Sequence, residues 1–324
     1  MASFRMFAIS GALLAAGTSA ALAQSNWPTR SVQVISPFTA GNASDLIGRI
    51  TLEQVSKQLG QPFVLENRPG GGGTLGVAAV AKAEPDGYTV LLHSSSFSSA
   101  LVHHKTLPYD TLKDFTPVIP IGIQPVVLII APSKGYKTVA ELVAAAKANP
   151  GAMNFASAGI GSTSHMAAER FRHAAGFKAQ HIPFRGPAEA FQEVLSGRID
   201  FYFLPLAPAL SLVKEGKVVA LAVGAAKRSV DLPDVPTMAE AGLPDAAYHF
   251  WGGLFVPAKT SADIVKKLHS ETEKALAVAS VRERLAKMAT EPMPMSPEQF
   301  GKYFQNDVAS TVKLARETGM QPSN

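Results

Sequence analysis

The chain has 324 residues, a formal net charge of +5 and no cysteine. The lack of cysteine excludes disulfides, a thiolate nucleophile, a cysteine-ligated zinc site and a lipid anchor on a leading cysteine. The positive charge is modest and forms no Lys/Arg cluster interleaved with aromatic residues, so nucleic-acid binding is not expected.

The first 23 residues have the pattern of a secretory signal peptide. Arg5 provides a positive start, residues 7–14 are apolar, and Ala21-Leu22-Ala23 forms a small-residue cleavage signal. The apolar run is shorter than the roughly 20 residues that a membrane span requires. We therefore expect export to the periplasm with cleavage before Gln24; an uncleaved anchor is the alternative.

Short β-branched runs then alternate with longer amphipathic segments, which is typical of α/β units around mainly parallel sheets. In the first part of the chain the predicted strands are residues 31–36, 63–66 and 88–93, and the predicted helices are residues 44–59 and 74–82. Residues 126–131 predict a buried strand where the chain crosses into a second lobe.

The alternation repeats beyond this crossing. The predicted strands are residues 154–156, 180–182, 200–203 and 218–223, and the predicted helices are residues 139–148, 164–175 and 187–196. Residues near 250–256 predict the return crossing, and three helices near 261–278, 280–289 and 297–317 are expected to pack on the first lobe. We predict lobe 1 from residues 24–125 plus 251–324 and lobe 2 from residues 126–250.

Three loops have the chemistry to hold an anion. Residues 37–45 lack positive side chains and are rich in small residues, which suits backbone N–H groups that contact a ligand directly. Asn42 and Asp45 have capping-box spacing, so both side chains could equally serve only as helix caps. Residues 157–164 combine four hydroxyl side chains, two glycines and a helix start, and are the strongest candidate by residue type.

The energetics favour a ligand that both lobes contact. One helix terminus stabilises an anion by about 0.3–1 kcal/mol, whereas removal of a carboxylate from water costs several kcal/mol. The third loop, Pro69 to Thr74, lacks the lysine of a Walker loop and predicts either close backbone approach or a flexible connector.

Several motifs together resemble the tripartite tricarboxylate transporter substrate-binding (Bug) family. They are Glu66-Asn67-Arg68-Pro69-Gly70-Gly71-Gly72, Pro85-Asp86-Gly87-Tyr88-Thr89, Leu107-Pro108-Tyr109-Asp110 with Lys113-Asp114-Phe115, Leu232-Pro233-Asp234-Val235-Pro236-Thr237 and Glu240-Ala241-Gly242-Leu243-Pro244. The resemblance implies an α/β, two-lobed periplasmic-binding-protein fold of the type II or Venus-flytrap kind, with two crossing segments and a closing cleft. It also implies carboxylate ligands and contacts from residues 38–45 and 157–163.

The chain departs from the family pattern at two positions. Thr39-Ala40-Gly41-Asn42-Ala43-Ser44 replaces the usual consecutive glycines of the first loop. Leu204, followed by Pro205, stands where amino-acid binders of the family tend to have an aspartate for the ligand amine. The resemblance therefore favours a dicarboxylate with an apolar middle, aromatic or longer-chain, over an amino acid.

Other side chains have two readings each. Arg185 could pair with a carboxylate or be a solvated surface charge. Phe38, Phe97, Phe184 and Trp251 could wall the apolar part of a ligand or belong to the core and hinge. The predicted ligand-binding residues are Phe38, Thr39, Ala40, Gly41, Asn42, Ala43, Ser44, Asp45, Ser94, Ser95, Ser157, Ala158, Gly159, Gly161, Ser162, Thr163, His165, Phe184, Arg185, Leu204 and Pro205.

Alternative functions have little support in the sequence. His165, Glu169 and His173 recur on one helix face without an H-E-x-x-H motif, so surface pairs are favoured over a metal site. The pair His103-His104 predicts a solvated loop. There is no G-x-S-x-G elbow, so a secreted hydrolase is not expected. We predict a monomer without cofactor that binds a small carboxylate and docks to membrane transporter subunits; docking to a membrane signalling partner is the alternative.

Overall fold

The computed structural model describes residues 26–320 and residue 322. The predicted signal peptide and its cleavage site before Gln24 lie outside the described residues. None of the helices within residues 26–320 is long and apolar enough to be a candidate membrane span.

The strands of the described residues form one nine-stranded sheet. They are β1 (Val32–Ser36), β2 (Phe63–Asn67), β3 (Thr89–Ser94), β4 (Phe115–Ile130), β5 (Asn154–Ser157), β6 (Gln180–Pro183), β7 (Phe201–Pro205), β8 (Val219–Val223) and β9 (His249–Pro257). Their order is β2-β1-β3-β9-β4-β7-β5-β6, and β8 pairs with β4 on the edge opposite β7. Parallel pairs flank β1 and β5, whereas the pairs of β4 and β9 are antiparallel.

Helices connect these strands and cover the sheet. They are α1 (Ala43–Leu59), α2 (Thr74–Ala81), α3 (Ser96–His103), α4 (Val139–Ala148), α5 (Thr163–Ala175), α6 (Pro187–Leu195), α7 (Leu206–Lys214), α8 (Ala262–Ala277), α9 (Ala279–Ala286) and α10 (Pro297–Thr318). Local sequence explains many of their ends. Thr138 caps α4 by accepting a hydrogen bond from the backbone of Glu141, and α1 ends at Gly60, whose φ of 66° suits glycine.

The crossing strand β4 is much longer than the predicted strand at residues 126–131. Its first part pairs with β9, and residues Val126 to Ile130 pair with β7 and β8, so one strand belongs to both halves of the sheet. Proline lacks the N–H that a strand ladder uses. The pairing with β9 is irregular beside Pro117 and Pro120, which is why the sequence pattern hid this part of the strand.

Four buried clusters cover the two faces of each half of the sheet. In β3, Leu92 and Leu91 belong to clusters on opposite faces of the first half, because successive side chains alternate along a strand. Phe203 and Tyr202 of β7 do the same in the second half. Each half therefore has its own core between two helical layers.

The C-terminal helices return to the first half, as the sequence predicts. Helices α8 and α9 pack on α1, and α10 packs on α3 and β4. The C-terminal end of α10 also contacts the second half, which was not predicted. Leu314 belongs to a buried cluster of that half. In the same region Arg170 of α5 donates a hydrogen bond to Ser310 Oγ at 2.8 Å. Helix α10 therefore contacts both halves.

Two helices were not predicted, and the first of them corrects an expectation. The serine-rich start of α3 is typical of a loop, yet Phe97 and His103 are buried on this helix, so His103 is not in a solvated loop. Helix α7 follows Pro205 and contains Pro208 in its first turn, where a missing N–H does no harm.

Candidate functional site

The candidate loops all follow the carboxyl ends of parallel strands. Residues 37–42 follow β1, Ser95 follows β3, and residues 158–162 follow β5. Strands β1 and β3 are direct neighbours, so the first two segments leave the same edge of the first half of the sheet. Ser95 Oγ lies 2.9 Å from Thr163 Oγ1, which brings this edge against the loop of the second half.

The first loop presents the start of α1. Asn42 is the N-cap residue, and its Oδ1 accepts hydrogen bonds from Asp45 N at 3.1 Å and from Ser44 Oγ at 2.6 Å. The N–H groups of Ala43 and Ser44, as the first of the helix, have no intrahelical partner. Thr39, Ala40 and Gly41 are exposed beside them.

Asp45 braces this loop from within. Its carboxylate is buried and accepts hydrogen bonds from Gly41 N at 2.9 Å, from the Arg49 guanidinium at 3.0 and 3.1 Å and from Asn67 Nδ2 at 3.0 Å. Burial raises the pKa of Asp45, but the bonds from Arg49, Gly41 and Asn67 outweigh burial and hold the pKa below its usual value. Asn67 also donates to Phe38 O at 3.0 Å. The Asp45 carboxylate therefore shapes the loop.

The second loop is closed by its own hydroxyl groups. Ser162 caps α5 by accepting a hydrogen bond from His165 N, and its Oγ lies 2.9 Å from Ser164 Oγ. Ala158 N donates to Ser164 Oγ at 2.9 Å, and Gly159 N donates to Ser157 Oγ at 3.1 Å. The N–H groups at the start of α5 remain without an intrahelical partner, as at the start of α1.

A stack of histidines supports this loop. Gly161 N donates to His165 Nδ1 at 3.2 Å, and His181 Nε2 lies 2.6 Å from Ser157 Oγ. The His165 and His181 rings stack with centroids 4.0 Å apart, and the ring of His103 lies 5.2 Å from that of His165. Because Nδ1 of His165 accepts a hydrogen bond, the imidazole must be neutral.

Burial explains why these histidines stay neutral. It lowers the pKa of His165 to about 2, with further contributions from His181, His103 and Arg172. Burial also lowers the pKa of His181 and of His103 to about 4 each. The 3.8 Å contact between His165 and Glu169 is therefore no ion pair at neutral pH; Glu169 instead pairs with Arg172 at 2.5 Å.

The positions of His165, Glu169 and His173 do not suit a metal site. His165 and Glu169 are buried, which corrects the expectation of surface pairs for these two residues. His173 is 43% exposed and faces Glu317 at 3.3 Å, so the three side chains do not converge. Within the described residues, no group of three or more histidine, aspartate or glutamate side chains could hold a metal ion.

The other predicted residues lie at different depths. Phe184 is half-buried beside the second loop, where its N–H donates to Ser157 O at 3.0 Å. Arg185 is exposed, and Leu204 is buried in a core cluster of the second half. Pro205 is half-buried at the end of β7. Ser94 is buried, and its Oγ lies 2.9 Å from Ser96 Oγ.

Phe97 and Trp251, two of the aromatic residues that could have contacted the apolar part of a ligand, belong to the core. Phe97 is fully buried and stacks on His93 and Phe304. Trp251 is buried, and its Nε1 donates to Asp307 at 3.0 Å. Phe38 is half-buried at the first loop.

The glycine loop lies beside the first loop. Gly73 has a φ of 99°, and a Cβ on it would lie 3.4 Å from the Phe38 ring. The positive φ of Gly73 favours glycine, and both readings of this loop stay predictions.

The sequence did not reveal several residues that shape the site. Asn67 lies 22 residues from its partner Asp45, and His181 lies 24 residues from its partner Ser157. Ser99 contacts the second loop, yet it lies in a helix that was not predicted. Strand pairing is the signal that could have indicated the contact between His181 and Ser157. His181 lies opposite Phe155 in the β5–β6 register, so its side chain reaches Ser157 on the diagonal.

Comparisons with known proteins agree on one group. The model of the tripartite tricarboxylate transporter family receptor matches residues 47–320. Protein BugT of Bordetella pertussis is 33% identical over 318 residues, which are 97% of this chain and 98% of BugT.

Solved structures of similar proteins cover nearly the whole chain. R. palustris Rpa4515 with adipate has a TM-score of 0.83 and 31% identity over 91% of this chain and 99% of its own. MatC from Rhodopseudomonas palustris with bound malate has a TM-score of 0.79 and 31% identity over 89% of this chain and 99% of its own. The periplasmic binding protein BugD has a TM-score of 0.81 and 30% identity over 92% of this chain and 100% of its own.

Proposed function

The chain belongs to the tripartite tricarboxylate transporter receptor (Bug) family, and from this premise we propose that it captures a small dicarboxylate for a tripartite tricarboxylate-type transporter. The predicted family and the predicted two-lobed periplasmic-binding-protein fold are confirmed. The chain is accordingly a periplasmic solute-binding protein and not an enzyme. The dicarboxylate, its contact residues and the transporter are the proposed part.

The observation that carries the proposal is the pair of capped helix starts, linked across the lobes by the contact between Ser95 and Thr163. The N–H groups at the starts of α1 and α5 suit an anion because a helix N-terminus carries partial positive charge. A hydrogen bond to a charged group contributes about 1.5–3 kcal/mol. Two or three such bonds from each lobe offset the several kcal/mol needed to desolvate a carboxylate.

The two loops offer hydrogen-bond donors but no cationic side chain. Arg49 is held by Asp45, and Arg185 is exposed. A carboxylate in this cleft would therefore be bound mainly by backbone N–H groups and hydroxyls. Binding by neutral donors predicts a weak dependence on salt, since screening acts most strongly on pairs of exposed charges.

An apolar middle in the ligand is the second part of the proposal. Leu204 and Pro205 end β7 without a carboxylate that could meet a ligand amine. The adipate in Rpa4515 and the malate in MatC each carry two carboxylates. We propose an aliphatic or aromatic dicarboxylate, held by one carboxylate at the helix starts.

Calorimetry on the protein without its first 23 residues, unfolded and refolded to remove co-purified ligand, tests the ligand class. Adipate, terephthalate, malate, citrate and glutamate are titrated separately. We expect micromolar binding of at least one of the dicarboxylates without an amine (adipate, terephthalate or malate) and none of glutamate. Tight glutamate binding, or no binding of adipate, terephthalate or malate, would refute the proposal.

A proline substitution tests the backbone donors without changing a side-chain charge. Ala43 is the first residue of α1, where proline is tolerated, and Asn42 has an extended conformation (φ −73°, ψ 167°) that accepts a following proline. Ala43→Pro removes one N–H, so we expect dicarboxylate affinity to fall about 10- to 150-fold.

Ala262→Pro is the matched control. Ala262 is the exposed first residue of α8, and Ser261 before it has φ −60° and ψ 145°. We expect unchanged affinity for this variant and an unchanged melting temperature for both. Equal affinities of the two variants would show that the start of α1 does not hold the ligand.

Uptake measurements test the transporter. Deletion of the gene should abolish dicarboxylate uptake by the cells. Intact uptake combined with lost induction of a ligand-responsive gene would favour the signalling alternative.

A further inference from the structure

One face of α3 touches the second lobe along its whole length. Ser95, Ser99 and His103 follow one another at intervals of four residues and therefore lie on one side of the helix. Ser95 Oγ lies 2.9 Å from Thr163 Oγ1, and Ser99 Oγ donates to Gly161 O at 2.6 Å. The ring of His103 lies 5.2 Å from that of His165.

The second loop approaches α3 so closely that only glycine fits. Gly161 has a φ of 78°, and a Cβ on it would lie 2.7 Å from His103 Cδ2 and 3.3 Å from Ser99 Oγ. The Gly161 peptide is held on both sides, because its N–H donates to His165 in its own lobe and its C=O accepts from Ser99 in the other.

The opposite face of α3 is anchored in the first lobe. Ser98 Oγ donates to Asp307 of α10 at 2.6 Å, and Asp307 also accepts from Trp251. The hydrogen bond of Ser98 therefore lies within the first lobe.

We propose that Ser99 and His103 are positioning residues, which seat the Gly159-to-Thr163 loop of the second lobe against the first lobe and so stabilise the closed cleft. The inference rests on the proposed function, because this loop presents the start of α5 to the ligand. Lobe closure and the shaping of the ligand loop are then one event. Loss of the contact should open the cleft and weaken ligand binding together.

Two neighbouring serines provide a matched pair of variants. Ser99→Ala removes the bond to Gly161 O, whereas Ser98→Ala removes a bond within the first lobe. For Ser99→Ala we expect adipate affinity to fall about three- to tenfold, chiefly through faster dissociation. For Ser98→Ala we expect a lower melting temperature with unchanged affinity.

A double-mutant cycle tests the contact between Gly161 and His103. Gly161→Ala introduces both a clash with His103 and backbone strain, whereas Gly135→Ala introduces the same strain alone, since Gly135 also has a φ of 78° and nothing lies near its missing Cβ. We expect His103→Ala to restore part of the affinity that Gly161→Ala removes. Strictly additive effects of the two substitutions would refute the contact.

The closed cleft is measured directly by the distance between two spin labels. The chain has no cysteine, so cysteines placed at the exposed Ala144 of α4 and Ala277 of α8 are labelled uniquely. We expect Ser99→Ala and Gly161→Ala to shift the distance distribution away from the wild-type closed population, with Ser98→Ala unchanged. Identical distributions for all variants would overturn the inference.

The same measurement separates the two proposals. Distances measured without adipate report on the contact between α3 and the second lobe, whichever ligand the protein binds. If the wild-type protein binds none of the five carboxylates, the proposed function fails, and the ligand-free distance distributions still decide the role of α3.

Discussion

Acidification should destabilise this protein through histidines that are buried in the neutral state. His93, His103 and His165 are each at most 5% exposed, and burial lowers their pKa values to about 3, 4 and 2. An unfolded histidine has a pKa of about 6.5. Between pH 6.5 and pH 4 the unfolded chain therefore binds more protons than the folded chain, so the free energy of unfolding falls as the pH falls.

The magnitude follows from these values. Each buried histidine lowers the free energy of unfolding by about 1.4 kcal/mol between pH 7.5 and pH 5.5. The three together account for about 4 kcal/mol, a large part of the 5–15 kcal/mol that is typical of folded proteins. Above pH 7.5 the effect should vanish, because these histidines are then neutral in both states.

Urea unfolding followed by the fluorescence of Trp27 and Trp251 measures this loss, in buffers without carboxylates. His165→Gln keeps a polar side chain at this position and removes one titrating group. For this variant we expect the decrease between pH 7.5 and pH 5.5 to shrink by about 1.4 kcal/mol. At pH 8, the difference in the free energy of unfolding between this variant and wild type gives the cost of the substitution itself.

Parallel pH curves for wild type and His165→Gln would refute the argument, because they would show that His165 contributes nothing to the proton uptake of unfolding. A steeper curve for the variant would contradict even the sign of the predicted effect. A wild-type stability that is flat from pH 7.5 to pH 5.5 would contradict the neutral state of the whole group.

Three further substitutions have expected outcomes. Phe171→Ala should lower the free energy of unfolding by about 3–5 kcal/mol in urea titrations, because the fully buried ring contacts three other phenylalanines. Gly224→Ala should cost about 1–3 kcal/mol in the same assay, since its Cβ would lie 2.1 Å from the backbone oxygen of Tyr248. Asn67→Ala should reduce adipate affinity about tenfold in calorimetry with a small change in melting temperature, because it removes the hydrogen bonds from Asn67 to Phe38 O and to the Asp45 carboxylate. Unchanged affinity would show that these hydrogen bonds do not shape the site.

The sequence predicted those elements whose ends are set by neighbouring residues, such as helix caps and turns. Helix α4 matches its prediction at both ends, because Thr138 caps its start and a Pro-Gly pair follows it. Strand β4 and helix α3 were missed for physical reasons. The prolines of β4 contradict strand propensity, and the serines of α3 contradict helix propensity, yet both segments are stabilised by burial.

The candidate site shows the same division. The cap Asn42 follows from short-range spacing and was predicted, whereas Ser162 was predicted only as part of a loop at a helix start and not as its cap. The contacts of Asn67 with Asp45 and of Ser99 with Gly161 join residues far apart in the sequence. No periodicity or motif encodes such a pair, so they required the folded chain.

The shared strand β4 has a consequence for how the lobes behave as units. Its residues from Phe115 to Pro125 pair with β9, and the same strand continues into the centre of the other half of the sheet. Neither lobe can lose β4 without losing a paired strand of its sheet, so neither should fold as an independent fragment. We expect heat or urea to unfold both lobes in a single cooperative transition, although the proposed ligand cleft lies between them.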